Sequence, residues 1–193
     1  QNLAGVSASQ VEIQSGIQFY DGITTAAIQE ILIKSASDLI SLDNPNYQFV
    51  AARLLLFSLR KSLYGRIREL PTLFDHINKC VSNEIYDADI LNKYTKEEID
   101  YFDTVIDHGR DFIFTYAGLR QVVDKYLVQD RSSGQVYETP QFMYMLIAMT
   151  IFAEYPQETR TDYVTRYYNA ISKHKINIPT PIMGGVRTPL RQF

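Results

Sequence analysis

The sequence contains no tryptophan, only one cysteine, no run of basic residues and no long apolar segment. Cys80 by itself excludes an intramolecular disulfide framework and any zinc site with several thiolates, and it favours a reducing, cytoplasmic setting. A net charge of −3 gives no electrostatic support for a nucleic-acid partner. The most apolar stretch, residues 142–152, is shorter than the roughly 20 residues that cross a membrane. No signal peptide is visible at Gln1, so we expect neither secretion nor membrane attachment.

The composition is otherwise that of a soluble globular protein, with 46% hydrophobic and 21% charged residues in a chain of 193. This length suits one domain of ordinary size or two small ones. Fourteen tyrosines and ten phenylalanines are many for such a chain. We interpret them as the packing residues of an aromatic helical core.

Most of the chain has the pattern of amphipathic helices, because apolar residues recur at steps of three and four. Ser7 with Gln10, and Thr95 with Glu98, match the capping box that begins a helix, and Gly65 is a typical helix stop. The predicted helices cover about residues 8–19, 24–40, 45–64, 72–81, 96–106, 116–125, 140–155 and 160–172, with a short one near Asp87 and a linker at 66–71.

Two segments depart from the helical pattern. Between Tyr126 and Tyr137 the residues alternate around Ser132-Ser133-Gly134, which predicts a short β-hairpin. From Ile176 onward, three prolines and a Gly-Gly pair predict an extended, irregular tail. The expected fold is therefore mainly α, with one short β-hairpin and an extended C-terminal tail.

Signals for catalysis and metal binding are weak. The three histidines, at positions 76, 108 and 174, have no partners at metal-ligand spacing, so we predict no metal site. Cys80 lies on a predicted helix where no thiolate-stabilising histidine or helix N-terminus is evident, so we interpret it as a buried structural thiol. The sequence contains neither a P-loop nor a dinucleotide-binding glycine motif.

Two segments suit the binding of an anion. At 21–25 a turn brings threonines to a helix N-terminus, where free N–H groups favour phosphate, and Lys61 on a neighbouring helix adds charge. At 179–189 prolines fix the path of the chain, glycines allow a ligand close to the backbone, and hydroxyls and Arg187 suit an anionic group. Ordinary helix capping at the first segment and a purely structural loop at the second remain alternative interpretations.

Four segments, taken in order along the chain, resemble signatures of one protein family. They are residues 43–65, 125–129, 138–142 and 178–193, the last of which reads IPTPIMGGVRTPLRQF. On these motifs the chain is similar to the large, catalytic alpha subunit of class I (aerobic) ribonucleoside-diphosphate reductases. The resemblance covers essentially the whole chain.

The resemblance implies an architecture and a reaction. Residues 1–65 would be the C-terminal part of a helical ATP-cone that lacks its N-terminal part, residues 66–175 the helical N-terminal domain, and residues 176–193 the start of the otherwise missing α/β catalytic barrel. The family reduces ribonucleoside diphosphates to 2′-deoxyribonucleoside diphosphates for DNA synthesis by thiyl-radical chemistry. The catalytic cysteines are expected downstream of Phe193, so we expect the 193-residue chain to be inactive alone.

The resemblance also implies partners and effectors. The radical cofactor would lie in a separate small subunit, a thioredoxin or glutaredoxin type of protein would supply reducing equivalents, and two large subunits would form a homodimer. ATP and dATP would be the allosteric effectors.

Three residues match positions that bind ligands in the family. Thr180 corresponds to a threonine that contacts the substrate diphosphate, and Thr25 and Lys61 to cone residues that contact the effector nucleotide. Gln29 and Ser58 stand where members inhibited by dATP carry histidines, which predicts weak or absent inhibition by dATP. The alternative to an enzyme is a non-catalytic helical module for regulation or protein interaction.

Overall fold

The computed structural model describes residues 3–65 and 67–190, and this part of the chain is mainly helical, as predicted. A short 3₁₀-helix covers His108–Ile113, and a π-helical turn at Val122–Tyr126 continues the seventh α-helix. The α-helices are α1 (Ala8–Gly16), α2 (Thr25–Asp38), α3 (Tyr47–Tyr64), α4 (Leu73–Ser82), α5 (Asp89–Lys93), α6 (Lys96–Val105), α7 (Tyr116–Gln121), α8 (Pro140–Ile151), α9 (Gln157–Ser172) and α10 (Thr180–Gly185).

Side-chain caps begin several of these helices. The capping box predicted at α6 is confirmed, because the Thr95 hydroxyl accepts a hydrogen bond from the Glu98 N–H while the Glu98 carboxylate accepts one from the Thr95 N–H. The box predicted at Ser7 is wrong. Within the described residues the Ser7 side chain forms no capping bond, and the Gln10 side chain instead accepts a hydrogen bond from the Tyr47 hydroxyl of α3.

The third helix ends where the sequence predicts but begins two residues later than expected. Pro45 and Asn46 form a turn, and the Asn46 amide donates to the Ala4 carbonyl at 2.9 Å instead of capping the helix. Gly65 ends α3 in the left-handed conformation at φ +70°, and its N–H donates to the Lys61 carbonyl at 2.9 Å. A glycine adopts this conformation without the steric cost that a Cβ atom imposes.

Pro156 has a different role from the one predicted. Helix α8 ends at Ile151 and not at the proline. Pro156 directly precedes α9, and its carbonyl accepts hydrogen bonds from the N–H groups of Thr159 and Arg160. A proline fits at the start of a helix because the first N–H groups have no partner inside the helix.

The predicted hairpin is present as a tight reversal with little β-structure. In the described part of the chain its regular pairing is one antiparallel bridge, between Gln129 and Val136. The Asp130 carboxylate accepts hydrogen bonds from the Ser132 N–H and from the hydroxyls of Ser132 and Ser133. These local bonds hold the turn and leave few residues on either side for longer strands.

The prediction of an extended, irregular tail from Ile176 is wrong, because residues 180–185 form helix α10. Pro181 lies in the first turn of this helix, where a missing N–H costs nothing, so the proline pattern suits a helix start as well as an extended path. Met183 and Val186 are buried and supply the apolar contacts that hold the helix. Residues 191–193 lie outside the described part of the chain.

The core is organised around α8. Ten consecutive residues of this helix, 140–149, are buried, so all of its sides are covered by other elements. The buried apolar residues form a main core and a smaller cluster, and helix α3 contributes to both. Its Tyr47 and Ala51 join the smaller cluster with residues of α1 and α2, whereas its later residues join the main core. Those later residues are Ala52, Leu55, Leu56 and Leu59.

One buried ion pair joins the tail to the rest of the molecule. The side chains of Arg187 and Glu138 are 1% and 0% exposed and form a bidentate pair. The Arg187 guanidinium also donates to the carbonyls of Met183 at 2.6 Å and Tyr126 at 2.9 Å. Arg187 therefore fixes α10 against the segment that follows α7.

Two further ion pairs between arginine and carboxylate are buried. Arg60 of α3 donates to Asp111 at 2.9 Å, and the other oxygen of Asp111 accepts from Gln141 of α8. Arg160 of α9 contacts both oxygens of Glu98 at the start of α6. Each pair joins elements distant in sequence, and the planar guanidinium of Arg160 suits its two-point contact with Glu98.

The helices of the described residues include none that is long and apolar enough to span a bilayer.

We predict that breaking the Arg187–Glu138 pair on one side destabilises the protein strongly. Either Glu138→Gln or Arg187→Met leaves an uncompensated buried group, which costs about 3–5 kcal/mol of unfolding free energy. The double variant should lose less than the sum of the single losses, since no unpaired charge remains. Urea denaturation measures all three.

The control is Arg166→Met, which removes an ion pair whose side chains are 71% and 68% exposed. Such exposed pairs contribute at most about 1 kcal/mol. Single variants of Arg187 and Glu138 no more damaging than this control would contradict a central role for the buried pair.

A second prediction concerns the end of α3. Gly65→Ala should lower the unfolding free energy by about 1 kcal/mol, because the residue is held at φ +70°, which a Cβ atom disfavours. Gly16→Ala is the matched control: Gly16 lies at the end of α1 and has open space around it. Equal effects of the two substitutions on urea denaturation would refute the argument from backbone conformation.

Candidate functional site

The structure places Lys61 and Gln29 in one cleft, which we call the α2–α3 cleft. Helices α2 and α3 pack against each other, and residues 67–69 border an open cleft of about 540 Å³ beside them. Its lining residues are Gln29, Lys61, Gly65, Ile67, Arg68 and Glu69. Two cations, one carboxylate and one amide therefore face the same space.

Thr25 lies near this cleft but is not part of its lining. It is the exposed first residue of α2, and the capping role belongs to Thr24, whose hydroxyl accepts from the Ala27 N–H at 3.2 Å. Thr25 and Gln29 are four residues apart on one helix, so they share a face. The Thr25 hydroxyl and the free N–H groups of the first turn are thus one turn away from the cleft.

Ser58, the other residue predicted to matter for dATP, is half-buried on α3 and is likewise outside the lining of the cleft. It lies one turn before Lys61. Of Gln29 and Ser58, Gln29 alone borders the space next to Lys61.

Thr180 belongs to a different part of the molecule. It is the exposed first residue of α10, and its side chain lies beside the Tyr126 hydroxyl. Hydrogen bonding with Thr180, and then with the Gln121 amide at 3.1 Å, lowers the pKa of Tyr126. The structure therefore does not bring Thr180 together with Thr25 and Lys61.

Arg187 is not available to bind an external anion, contrary to one interpretation of the tail sequence. Its guanidinium is fully occupied by Glu138 and by two backbone carbonyls. The sequence showed the charge of Arg187 but not its burial. The apolar run that follows Glu138 could have indicated this burial. It predicts a buried helix, and a carboxylate at the start of a buried helix needs a cationic partner.

Hydrogen bonds connect Glu138 through Tyr86 to His76, which lies next to Cys80. The Tyr86 hydroxyl donates to Glu138 at 2.6 Å and lies 2.9 Å from His76 Nε2. Because Tyr86 gives its only proton to Glu138, His76 donates through Nε2 as a neutral imidazole. Burial lowers the pKa of His76 to about 4, which agrees with a neutral ring that stacks on Phe142.

Cys80 is buried, as the sequence predicts. Its Sγ lies 4.0 Å from His76 Nε2, but burial raises the pKa of the thiol to about 12. At neutral pH the thiol is therefore protonated and weakly nucleophilic. The described residues also hold no cluster of three or more histidine, cysteine or carboxylate side chains suited to a metal ion.

Comparison with known proteins identifies the family. Residues 112–191 match the model of the ribonucleotide reductase, all-alpha domain. All 193 residues align with the ribonucleoside-diphosphate reductase subunit alpha of Haemophilus influenzae and with ribonucleoside-diphosphate reductase 1 subunit alpha of Escherichia coli, at 54% identity in each case. The subunit alpha of Enterobacteria phage T4 is 47% identical over 191 residues, or 98% of the chain.

The chain spans 25% of the length of each of these relatives and matches their N-terminal region. Identity at this level over every element described above reflects common ancestry and a shared fold. The chain therefore belongs to the ribonucleoside-diphosphate reductase alpha-subunit family and corresponds to the N-terminal region of its members.

Proposed function

We propose that the chain serves as the N-terminal, ligand-binding part of an enzyme that reduces ribonucleoside diphosphates to 2′-deoxyribonucleoside diphosphates for DNA synthesis. The observation that carries the proposal is the 54% identity, across the whole chain, with two proteins named as ribonucleoside-diphosphate reductase alpha subunits. A non-catalytic helical module is not favoured, because the relatives matched are named as enzyme subunits.

The contribution of this chain is binding and regulation rather than bond cleavage. Radical reduction of a ribose needs one cysteine for the thiyl radical and a pair for the reducing equivalents. The chain has a single cysteine, which is buried and protonated at neutral pH. The catalytic cysteines of the complete enzyme would thus lie outside residues 1–193.

We assign Thr180 to the substrate diphosphate. Its side chain is exposed, and its N–H is at the start of α10, where the first N–H groups have no partner inside the helix. Pro179 and Pro181 restrict the backbone on both sides, and Arg187 anchors the far end of the helix. A donor held in place before substrate arrives loses little entropy on binding.

We assign Thr25 and Lys61 to the effector nucleotide, ATP or dATP. The cation in the α2–α3 cleft and the free N–H groups at the start of α2 both favour phosphate. Gln29 borders this cleft and keeps hydrogen-bonding capacity, but it cannot become cationic as a histidine does. This difference supports weak or absent inhibition by dATP.

The proposed enzyme works with other proteins. A small subunit would supply the radical, a thioredoxin or glutaredoxin type of reductant would restore the cysteine pair, and the large subunit would form a homodimer. The reducing conditions that this chemistry needs agree with a cytoplasmic location and with a free, buried thiol.

We predict that Thr180→Val in the full-length protein raises KM for ribonucleoside diphosphates about ten- to a hundredfold and changes kcat little. Loss of a charge-assisted hydrogen bond costs roughly 1.5–3 kcal/mol. A contact made equally in the bound substrate and the transition state appears mainly in KM. Steady-state assays with the small subunit and a dithiol reductant measure both constants.

The matched control is Thr104→Val on α6, an exposed threonine whose hydroxyl donates only to the nearby Tyr101 carbonyl. It should leave both constants unchanged. Unchanged kinetics in Thr180→Val would remove the assignment of Thr180, whereas absence of any deoxynucleotide product from the unaltered full-length protein would overturn the proposed enzyme itself.

A further inference from the structure

We propose that Arg68 is a second cationic contact for the phosphates of a nucleotide in the α2–α3 cleft, acting beside Lys61. The inference rests on the proposed effector role of this cleft and adds a residue that the family resemblance does not supply. The ligand class is a nucleoside triphosphate, whose phosphate chain carries several negative charges.

The fold brings Arg68 to this place through the turn at Gly65. Gly65 ends α3 in the left-handed conformation, and residues 67–69 line the same cleft as Lys61. Ile67 is half-buried and Arg68 is exposed. The Arg68 guanidinium is therefore accessible to a ligand.

The charges in the cleft favour an anion. Lys61 and Arg68 are cationic, Glu69 is a carboxylate, and Gln29 is neutral, so the lining carries a net charge of about +1 at neutral pH. Neither Lys61 nor Arg68 takes part in an ion pair with another residue of the described ranges 3–65 and 67–190. Both are exposed and available to a ligand.

Arg68 differs in this respect from the arginines inside the protein. Arg60, Arg160 and Arg187 are buried and bind carboxylates of the chain itself. An unengaged guanidinium presents a planar set of donors that matches two oxygens of a phosphate. A neighbouring lysine adds a compact charge on a flexible side chain, so its contact with phosphate is less restricted in geometry.

The surroundings of the cleft favour a phosphate chain. The cleft is open to solvent, so a phosphate chain could reach Lys61 and Arg68 while the rest of the nucleotide stays outside it. The start of α2, a helix of 14 residues, lies one turn from Gln29, so its dipole favours negative charge on the same side. The carbonyl end of α3 disfavours an anion, which makes a second cation beside Lys61 more important.

The test is ATP binding to the full-length protein, measured by isothermal titration calorimetry at low and moderate salt. Lys61→Gln identifies which binding event belongs to the α2–α3 cleft. Arg68→Gln should weaken that same event about three- to tenfold, as expected for a solvent-exposed charged contact, and the difference should shrink at higher salt. Thermal denaturation checks that each variant is folded.

Arg166→Gln is the matched control, since Arg166 is an exposed arginine on α9 and should leave ATP binding unchanged. If Lys61→Gln weakens an event that Arg68→Gln leaves intact, the role of Arg68 is overturned and the effector site stands. If Lys61→Gln affects no binding event, both the effector site and the role of Arg68 are overturned.

Discussion

The buried pair of Arg187 and Glu138 holds together parts of the chain that are far apart in sequence. Arg187 binds the last turn of α10 and the Tyr126 carbonyl, while Glu138 also accepts hydrogen bonds from the Tyr86 hydroxyl and the Val128 N–H. Four segments thus meet at one carboxylate and one guanidinium. A buried charge is costly without its partner, so this arrangement permits few alternative positions for α10.

The position of Thr180 depends on that arrangement. Helix α10 has only six residues, and a helix this short is not stable by its own hydrogen bonds. Its burial through Met183 and Val186, together with the anchor at Arg187, supplies the stability that local propensity lacks. The exposed threonine at its start is therefore held by interactions at its other end.

Local signals in the sequence predicted most of the helices, and the errors have local causes. Capping at Thr95 and the stop at Gly65 were predictable because they depend on neighbouring residues alone. Pro156 and Pro181 misled the prediction because proline suits both the start of a helix and an extended segment. Whether the residues around such a proline become buried decides between a helix and an extended segment, and burial depends on tertiary packing that the local sequence does not show.

The candidate site was predictable only in part, for the same reason. The resemblance selected Lys61, Thr25 and Thr180, but the common cleft of Lys61, Gln29 and Arg68 arises from the packing of α2 on α3 and from the turn at Gly65. The three buried ion pairs join residues at least 49 positions apart. Pattern analysis along the chain does not detect partners at such distances.

Helix α3 has a consequence for how the protein divides into modules. The boundary predicted at residue 65 remains a prediction, and it falls directly after a helix whose residues join both hydrophobic clusters. A chain cut there would expose Leu55, Leu56 and Leu59 to water and leave Arg60 without Asp111. The parts of the chain on either side of residue 65 therefore share helix α3, and they should unfold together rather than as separate units.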